Sequence, residues 1–270
     1  MKLVNAVRSE VTKLTSTRLW WVLAIIMVVY VAFCSGGLAA IFAGVGTRAN
    51  GPTLPDDQLP RLVYSFATSV GYVFPVLLGA LAVTSEFRFQ SLTPTFLAQP
   101  RRGIVLAGKA ITLLIAGAVF GVLALIGSIG AGGGVLAGFG IDTQLATGDI
   151  WAFVGRSILA MALWAAIGVG LGTLVPSQVA AIVIVLAFTQ FLEPLLRFGA
   201  SLTDWSAQIA QFLPGSASDA LVGGSVFTIA SPGGGTGVGL EWWQGGLVLA
   251  AIAVVATVIG YVTSWRRDVS

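Results

Sequence analysis

The sequence predicts an all-α integral membrane protein with six transmembrane helices and an amphipathic interfacial helix at the N-terminus. The first observation behind this prediction is composition, because 56% of the 270 residues are hydrophobic and only 9% are charged. Soluble domains carry about 25% charged residues. The second observation is that apolar residues form long runs without charge, and the third is the helical spacing of apolar residues among charged ones near the N-terminus. Since a soluble chain cannot hide that much apolar surface from water, we exclude water-soluble enzymes and nucleic-acid-binding proteins.

Charge-free runs locate the membrane spans, because a spanning helix needs about 20 mostly apolar residues and a charge within it is costly. One run, 157–192, is too long for a single helix. Val175-Pro176-Ser177 divides it, since proline lacks an N–H and restricts the residue before it. The whole chain, residues 1–270, is then a single transmembrane domain. Its predicted spans are 19–44, 62–85, 104–128, 150–174, 177–199 and 243–265.

Glycines indicate how these spans pack. Gly117 and Gly121 in the third span, and Gly168 and Gly172 in the fourth, allow neighbouring helices to approach closely. Residues 127–140 contain seven glycines, so we expect the third span to end in a frayed or irregular segment. The segment 200–241 is long for a connector, and we expect it to form either a gate with short re-entrant helices or a surface cap.

Positive charge predicts the orientation, because cytoplasmic loops of membrane proteins carry an excess of Lys and Arg. With the N-terminus inside, ten of the fourteen Lys and Arg residues fall in the cytoplasm. These are Lys2, Arg8, Lys13, Arg18, Arg88, Arg101, Arg102, Lys109, Arg266 and Arg267. Six spans then place both termini in the cytoplasm. A composition rich in Ala, Gly and Val and poor in Lys is typical of GC-rich bacteria, so the predicted location is the bacterial cytoplasmic membrane.

Two segments outside the spans carry structure of their own. Residues 2–18 place Leu3, Val7, Val11 and Leu14 at helical spacing among polar residues, which predicts an amphipathic helix at the cytoplasmic interface. This helix either transmits motion to the first span or is a passive anchor.

The loop of residues 86–103 mixes aromatic residues, a carboxylate and an Arg pair. A loop that only connects two spans through solvent does not require this mixture. A short helix that docks on a soluble partner does require it. Phe87, Phe89 and Leu92 could fill a groove on the partner while the charges set the register. The alternative is a basic loop that only follows the topology rule.

Catalytic sites are missing or incomplete in the sequence. There is no His, and the single cysteine, Cys34, cannot form an internal disulfide. Gly103 to Lys109 has the spacing of a phosphate-binding loop, but Ala110 replaces the required Ser or Thr and no strand precedes it. We therefore expect no catalytic, cofactor-binding or metal-binding residues in this chain, and any ATP to be bound by another chain.

Three ionisable residues are expected at membrane depth. Arg156 lies inside the fourth span and Glu193 inside the fifth, each about 9 Å below the outer border at 1.5 Å per residue. They could meet between helices, but Arg197 is a competing partner on the same helix face as Glu193. Intramembrane charge predicts a gate or a substrate path. The alternative is a structural ion pair.

Taken together, these features resemble the permease subunit of type-2 ATP-binding-cassette transporters, the ABC-2 exporter family, over essentially the whole chain. The resemblance rests on the interfacial helix, the six spans, the run after the second span, the basic residues before the third, and the turn between spans four and five. In this sequence they are Glu86, Phe87, Arg88, Phe89, Gln90, Ser91, Leu92 and Thr93, then Arg101, Arg102 and Lys109, then Val175, Pro176 and Ser177. Gln90 departs from the family pattern, in which a small or basic residue is usual.

The resemblance implies that two permease chains form a homodimer or heterodimer in lipid, with two separate nucleotide-binding subunits that bind ATP and Mg²⁺ docked below. Residues 86–102 would be the coupling helix, and spans two and five would face the central path. Alternating access would export an amphipathic, lipid-like, drug or peptide substrate, and the chain itself would not be an enzyme. The alternatives are an ion-gradient-driven secondary transporter and a non-transporting sensor or immunity protein. A membrane-embedded enzyme is disfavoured by the lack of His.

Overall fold

The computed structural model of the chain describes residues 2–46, 58–200, 204–224 and 239–265. Within these ranges the regular secondary structure is helical throughout, and six helices are long and apolar enough to cross a membrane. The predictions of an all-α fold and of a multi-pass membrane protein with six spanning helices are therefore confirmed.

The spanning helices are α2 (Leu19–Gly46), the pair α3 (Leu59–Ser69) and α4 (Val73–Arg88), α6 (Arg102–Gly138), α7 (Gly148–Leu174), α8 (Gln178–Ala200) and α11 (Trp242–Trp265). The shorter helices are α1 (Lys2–Ser16), α5 (Leu92–Ala98), α9 (Asp204–Ala210) and α10 (Pro214–Val222). We call the end of the bundle that carries α1 the N-terminal side, and the other end the opposite side.

The centre of the bundle is α7, which packs against α4, α6 and α11. Gly168 and Gly172 of α7 lie against the backbone of α4, and Gly117 and Gly121 of α6 lie against α7. A Cβ atom on Gly168 would overlap the carbonyl oxygen of Val76. The predicted close approach of helices at these four glycines is confirmed, and it explains why bulkier residues are absent there.

The helix α1 lies along α6 rather than apart from the bundle. It meets α6 at Gly108, where an added Cβ would come within 2.9 Å of the Cβ of Ala6. Glu10 is buried on the packed side and Leu14 contacts the core. Val4 is 69% exposed, so the opposite face of the helix is free to contact lipid.

The second span is broken, although the sequence predicts one helix over 62–85. The helix α3 ends at Ser69 and α4 begins at Val73. At the break, a Cβ on Gly71 would overlap the carbonyl oxygen of Ala67. Pro75 stands in the first turn of α4, where its missing N–H leaves no helical hydrogen bond unmade. A glycine followed closely by a proline was the signal in the sequence for this break.

The third span continues beyond residue 128, and of the frayed or irregular end expected over 127–140 the structure shows the irregular form. A π-helical turn, Ile129–Gly133, carries α6 on to Gly138. Gly132 in this turn faces Val63 of α3, and its added Cβ would lie 3.4 Å from the Cβ of Ser35 in α2. The glycines therefore let two other helices pack closely against α6, and that packing preserves its helical structure.

The described part of the segment 200–241 contains α9 and α10, while residues 201–203 and 225–238 lie outside the described residues. Pro214 begins α10, and Gly223 ends it with a φ of 89° that favours glycine. Trp164 of α7 donates a hydrogen bond from Nε1 to the Ser218 Oγ of α10 at 3.0 Å. The helix α10 is thus packed onto the bundle by a specific contact.

Candidate functional site

Four charged side chains from three helices meet on the N-terminal side. Lys13 Nζ lies 2.7 Å from Glu10 Oε1 and 2.8 Å from Glu86 Oε1. Lys109 Nζ lies 3.2 Å from Glu86 Oε1 and also pairs with Glu10 Oε2. Each lysine therefore bridges both carboxylates, and the charges balance. We call these residues the four-charge cluster; it joins α1, α4 and α6.

Three of the four side chains in this cluster are almost fully buried. The side chains of Lys109, Glu10 and Glu86 are 3%, 6% and 7% exposed, whereas that of Lys13 is 40% exposed. Burial by itself would raise the pKa of Glu10, but Lys109 and Lys13 outweigh it and hold that pKa below its usual value. Burial would lower the pKa of Lys13, but the hydrogen bonds to Glu10 and Glu86 outweigh it and raise that pKa.

Sequence reasoning missed Glu10 and Lys13. Glu10 follows Val7 by three positions and precedes Leu14 by four, so it shares their helix face. A carboxylate on the apolar face of an amphipathic helix was therefore the signal that it would be buried and paired.

Within the predicted coupling loop, part of the run turns into the bundle. Glu86 belongs to the four-charge cluster, and Leu92 is 1% exposed. The Phe87 ring packs edge-on against Trp265 of α11, with the ring centres 5.7 Å apart. Phe96 makes the same kind of contact with Trp265 at 5.8 Å. These residues fix α5 to the ends of α4 and α11.

The rest of the run faces away from the bundle. Phe89 is 72% exposed and Leu97 is 82% exposed. Arg88 lies 5.7 Å from the Phe89 ring centre and donates a hydrogen bond to Gln178 Oε1 at 2.9 Å. Gln90 and Thr93 are also exposed, and Ser91 is half-buried. The loop therefore exposes two large apolar side chains, Phe89 and Leu97, with Arg88 beside Phe89.

Gln90 has an unusual backbone conformation. Its φ is 53°, in the left-handed region that favours glycine. The tight turn from α4 to α5 requires it, since Ser91 donates its N–H to the Glu86 carbonyl at 3.1 Å. Glycine would adopt this turn without strain.

Arg101 and Arg102 lie at the start of α6, beside the end of α11. Arg102 donates a hydrogen bond to the Trp265 carbonyl at 3.2 Å, and its guanidinium lies 4.8 Å from the Phe96 ring centre. Arg101 is exposed. The two arginines and Tyr261 line a cleft of about 510 Å³.

A second group of charges lies on the opposite side. Glu193 Oε1 accepts hydrogen bonds from Arg197 at 3.2 Å and from the Gly215 backbone N–H at 2.5 Å. Arg197 also pairs with Asp219 Oδ2 at 2.6 Å. We call Glu193, Arg197 and Asp219 the three-charge cluster; it ties α8 to α10. Sequence reasoning missed Gly215 and Asp219, because nothing in the sequence shows that α10 folds back onto α8.

The structure chooses between the two partners that the sequence left open for Glu193. Arg197 is the partner, and Arg156 is not within ion-pair distance of Glu193. Arg156 instead stacks its guanidinium 4.8 Å from the Trp242 ring centre at the start of α11. Equal depth in two helices did not bring the two side chains together, because depth does not specify which faces of the helices meet.

The break in the second span connects to the three-charge cluster. Tyr72, just after Gly71, donates a hydrogen bond to the Thr189 carbonyl at 3.2 Å. Thr189 lies in a π-helical turn, Phe188–Leu192, immediately before Glu193. The Tyr72 and Trp164 rings are 4.5 Å apart. The broken helix, α7 and α8 therefore meet next to the buried carboxylate.

The described residues contain no group of three or more side chains suited to hold a metal ion. The chain matches no protein-family model and no curated protein. The geometry of its own residues must therefore carry any proposal about function.

Proposed function

We propose that this protein is the permease subunit of an ATP-driven exporter of the ABC-2 type. The observation that carries the proposal is the helix α5, which is exposed on one side and fixed to the bundle on the other. Leu97 of α5 and Phe89, in the turn just before α5, are both largely exposed. On the inner side Phe96 and Leu92 contact the bundle. An exposed apolar surface beside a charge is suited to a protein partner.

The four-charge cluster supports a role in coupling. Glu86 lies in the last turn of α4, and it is held by Lys13 and Lys109. A displacement of α5 would therefore move α1, α4 and α6 together rather than deform the loop. The break at Gly71 offers a place where α4 can change its angle relative to α3, since hinges are few residues at element ends.

In this proposal the N-terminal side is cytoplasmic and two permease chains form a dimer in the lipid bilayer. Separate nucleotide-binding subunits bind ATP and Mg²⁺ and dock on α5, with Arg88, Arg101 and Arg102 beside it. The chain itself hydrolyses no ATP. Closure of those subunits moves α5, and alternating access carries an amphipathic, lipid-like, drug or peptide substrate outward.

The test is co-purification with the nucleotide-binding subunit encoded nearby, followed by ATPase measurements in lipid. The variant Phe89→Ala/Leu97→Ala should lose the complex or its stimulated ATPase activity. A matched control is Phe139→Ala/Leu145→Ala, which removes exposed apolar side chains on the opposite side. Folded wild-type protein that binds no such subunit, or equal effects of both double variants, would contradict the proposal.

Glu193 favours a second candidate, an ion-gradient-driven secondary transporter. It is 2% exposed, and its Oε2 has no hydrogen-bond partner among the described residues. A buried intramembrane carboxylate with one oxygen that accepts no hydrogen bond can bind and release a proton. This candidate predicts substrate uptake into vesicles under a proton gradient without ATP, and loss of that uptake in Glu193→Gln. Unchanged yield and unchanged transport in Glu193→Gln would remove Glu193 from any such role.

A further inference from the structure

The helix α9 exposes a row of large apolar side chains on the opposite side. Trp205 and Ile209 are four positions apart and Phe212 follows three positions later, so these side chains share one face of the helix and of the turn after it. They are 68%, 63% and 52% exposed. Ala207 and Ala210 are half-buried, and α9 packs against the last turns of α8. Small residues therefore face the protein, and three large apolar residues face away from it.

The three-charge cluster determines how deep this face lies. The Gly215 N–H donates a hydrogen bond to Glu193, and Arg197 pairs with Asp219. Glu193 begins the last eight residues of α8, which end at Ala200. At 1.5 Å per residue it lies about 10 Å below the end of this span. The chain that leaves the span at Ala200 must therefore return to this depth before it reaches Gly215.

The helix α9 makes this return. The Ser206 hydroxyl donates a hydrogen bond to the Ala200 carbonyl at 3.0 Å, so the start of α9 lies beside the end of the span. Phe212 stands just before the start of α10, at the deeper end. The seven residues of α9 rise about 10 Å, which matches the depth to be crossed. Trp205 is thus at the border of the span, and Ile209 and Phe212 lie below it.

We propose that this face of α9 is embedded in the lipid leaflet on the opposite side, with Trp205 among the headgroups and Ile209 and Phe212 among the acyl chains. The order of the side chains matches the bilayer, because an indole with its polar N–H suits the headgroup level and purely apolar side chains suit the hydrocarbon. In a water-covered cap, three apolar side chains would stay in contact with water at a cost. A second copy of the chain would cover the face without requiring this order. The inference does not depend on the proposed function, since it concerns how one chain sits in the bilayer.

The experiment measures the surroundings of single nitroxide labels on the full chain in vesicles of phosphatidylglycerol and phosphatidylethanolamine. Cys34→Ser removes the single cysteine, and the labels are placed at Ile209→Cys and Phe212→Cys. Oxygen concentrates in lipid, whereas a polar nickel complex stays in water. The ratio of oxygen access to nickel access should be several times higher at both positions than at Ala146→Cys. This control is an exposed residue on the same side, in the loop between the third and fourth spans.

Two results with the labels would overturn the proposal. Nickel access as high as in Ala146→Cys would place α9 in water, and low access of both reagents would show that protein, such as a second copy, covers the face. The native side chain gives a measurement without labels. Lipids brominated near the headgroup should quench the fluorescence of the wild type more than that of Trp205→Phe. The control Trp265→Phe removes a ring that is 1% exposed and should not lower the quenched fraction. Equal quenching of the wild type and Trp205→Phe would also overturn the proposal.

Discussion

Glu10 of the N-terminal helix and Lys109 of the third span form a buried ion pair across 99 positions of sequence. The contact makes α1 part of the bundle, because a charged group in its middle is neutralised by a charge from a spanning helix. This contact ties α1 to the third span, and both roles that the sequence left open for α1, transmission of motion and passive anchoring, are compatible with it.

Removing one member of this pair should be costly. Lys109→Met should lower the free energy of unfolding by about 3–5 kcal/mol, because Glu10 and Glu86 would remain buried with only Lys13 between them. Thermal unfolding of the detergent-solubilised protein measures this. Arg18→Met, which removes an exposed charge, should change stability by less than about 0.5 kcal/mol. Similar small effects of both substitutions would show that the cluster does not stabilise the fold.

The two residues of the pair should also be coupled. The double variant Glu10→Gln/Lys109→Met should lose less stability than the sum of the two single variants, by about 0.5–3 kcal/mol. The reason is that the second substitution removes a charge that the first has already left unpaired. A double-mutant cycle measures this difference, and strict additivity would argue against direct pairing.

The pKa of Glu10 predicts a loss of stability in acid. Its pKa lies below the usual 4.5 in the folded state, so its contribution is fully present above the unfolded pKa and is lost as the pH falls through the lower, folded value. Unfolding temperatures between pH 3 and pH 7 should therefore fall more steeply in the wild type than in Glu10→Gln. Parallel curves for the two proteins would contradict this assignment.

The raised pKa of Lys13 predicts a loss of stability at alkaline pH. Its pKa is raised above the usual 10.5, so its contribution is present below the unfolded pKa and is lost as the pH rises through the raised value. Stability above pH 10.5 should decline more steeply in the wild type than in Lys13→Gln. Unfolding temperatures through this alkaline range provide the measurement, and an equally steep decline in Lys13→Gln would exclude Lys13 as the cause.

Adding one methyl group at Gly215 should lower the stability of the protein. An added Cβ would overlap the Glu193 carboxylate and the Arg197 guanidinium. Gly215→Ala should therefore destabilise the protein by about 1–3 kcal/mol. Gly199→Ala is the matched control, since its Cβ would meet nothing within 4 Å. It should leave stability unchanged or raise it slightly, and an equal loss in both variants would show that crowding at the three-charge cluster is not the cause.

The turn at Gln90 predicts a gain in stability. Gln90→Gly should raise the unfolding free energy by up to about 1 kcal/mol, because glycine adopts a positive φ without strain. Gln99→Gly provides the control in the same loop, since Gln99 has a φ of −136°. There the added freedom of the unfolded chain should cost about 0.5–1 kcal/mol. Unfolding curves of the two variants should shift in opposite directions.

Some structural features could be read from local sequence alone. The fourth and fifth spans separate at the turn 175–177, because proline acts on its own residue and the one before it. The break at Gly71 has a local signal too, a glycine and a proline four residues apart. The predicted spans did not include the break, because hydropathy averages over about 20 residues and ignores an interruption of three.

Other features depend on which helix faces meet. Hydropathy placed Arg156 and Glu193 at similar depth, but only packing shows that Glu193 pairs with Arg197 and that Arg156 stacks on Trp242. Likewise, the loop sequence marked Glu86 as a contact residue for a partner, whereas the structure buries its side chain between two lysines. Rotation of a helix about its axis is not encoded in the periodicity of an almost uniformly apolar span.

The sequence by itself determined that the chain is an all-helical, multi-pass membrane protein with six spanning helices, because the transfer of apolar and charged residues to lipid depends on local composition. Only the tertiary structure decided that α1 is tied to the third span by Glu10 and Lys109, and that α10 folds back to present Gly215 and Asp219 to the fifth span. Those partners are distant in sequence, and a buried charge is stabilised by whichever opposite charge the packed helices bring within reach.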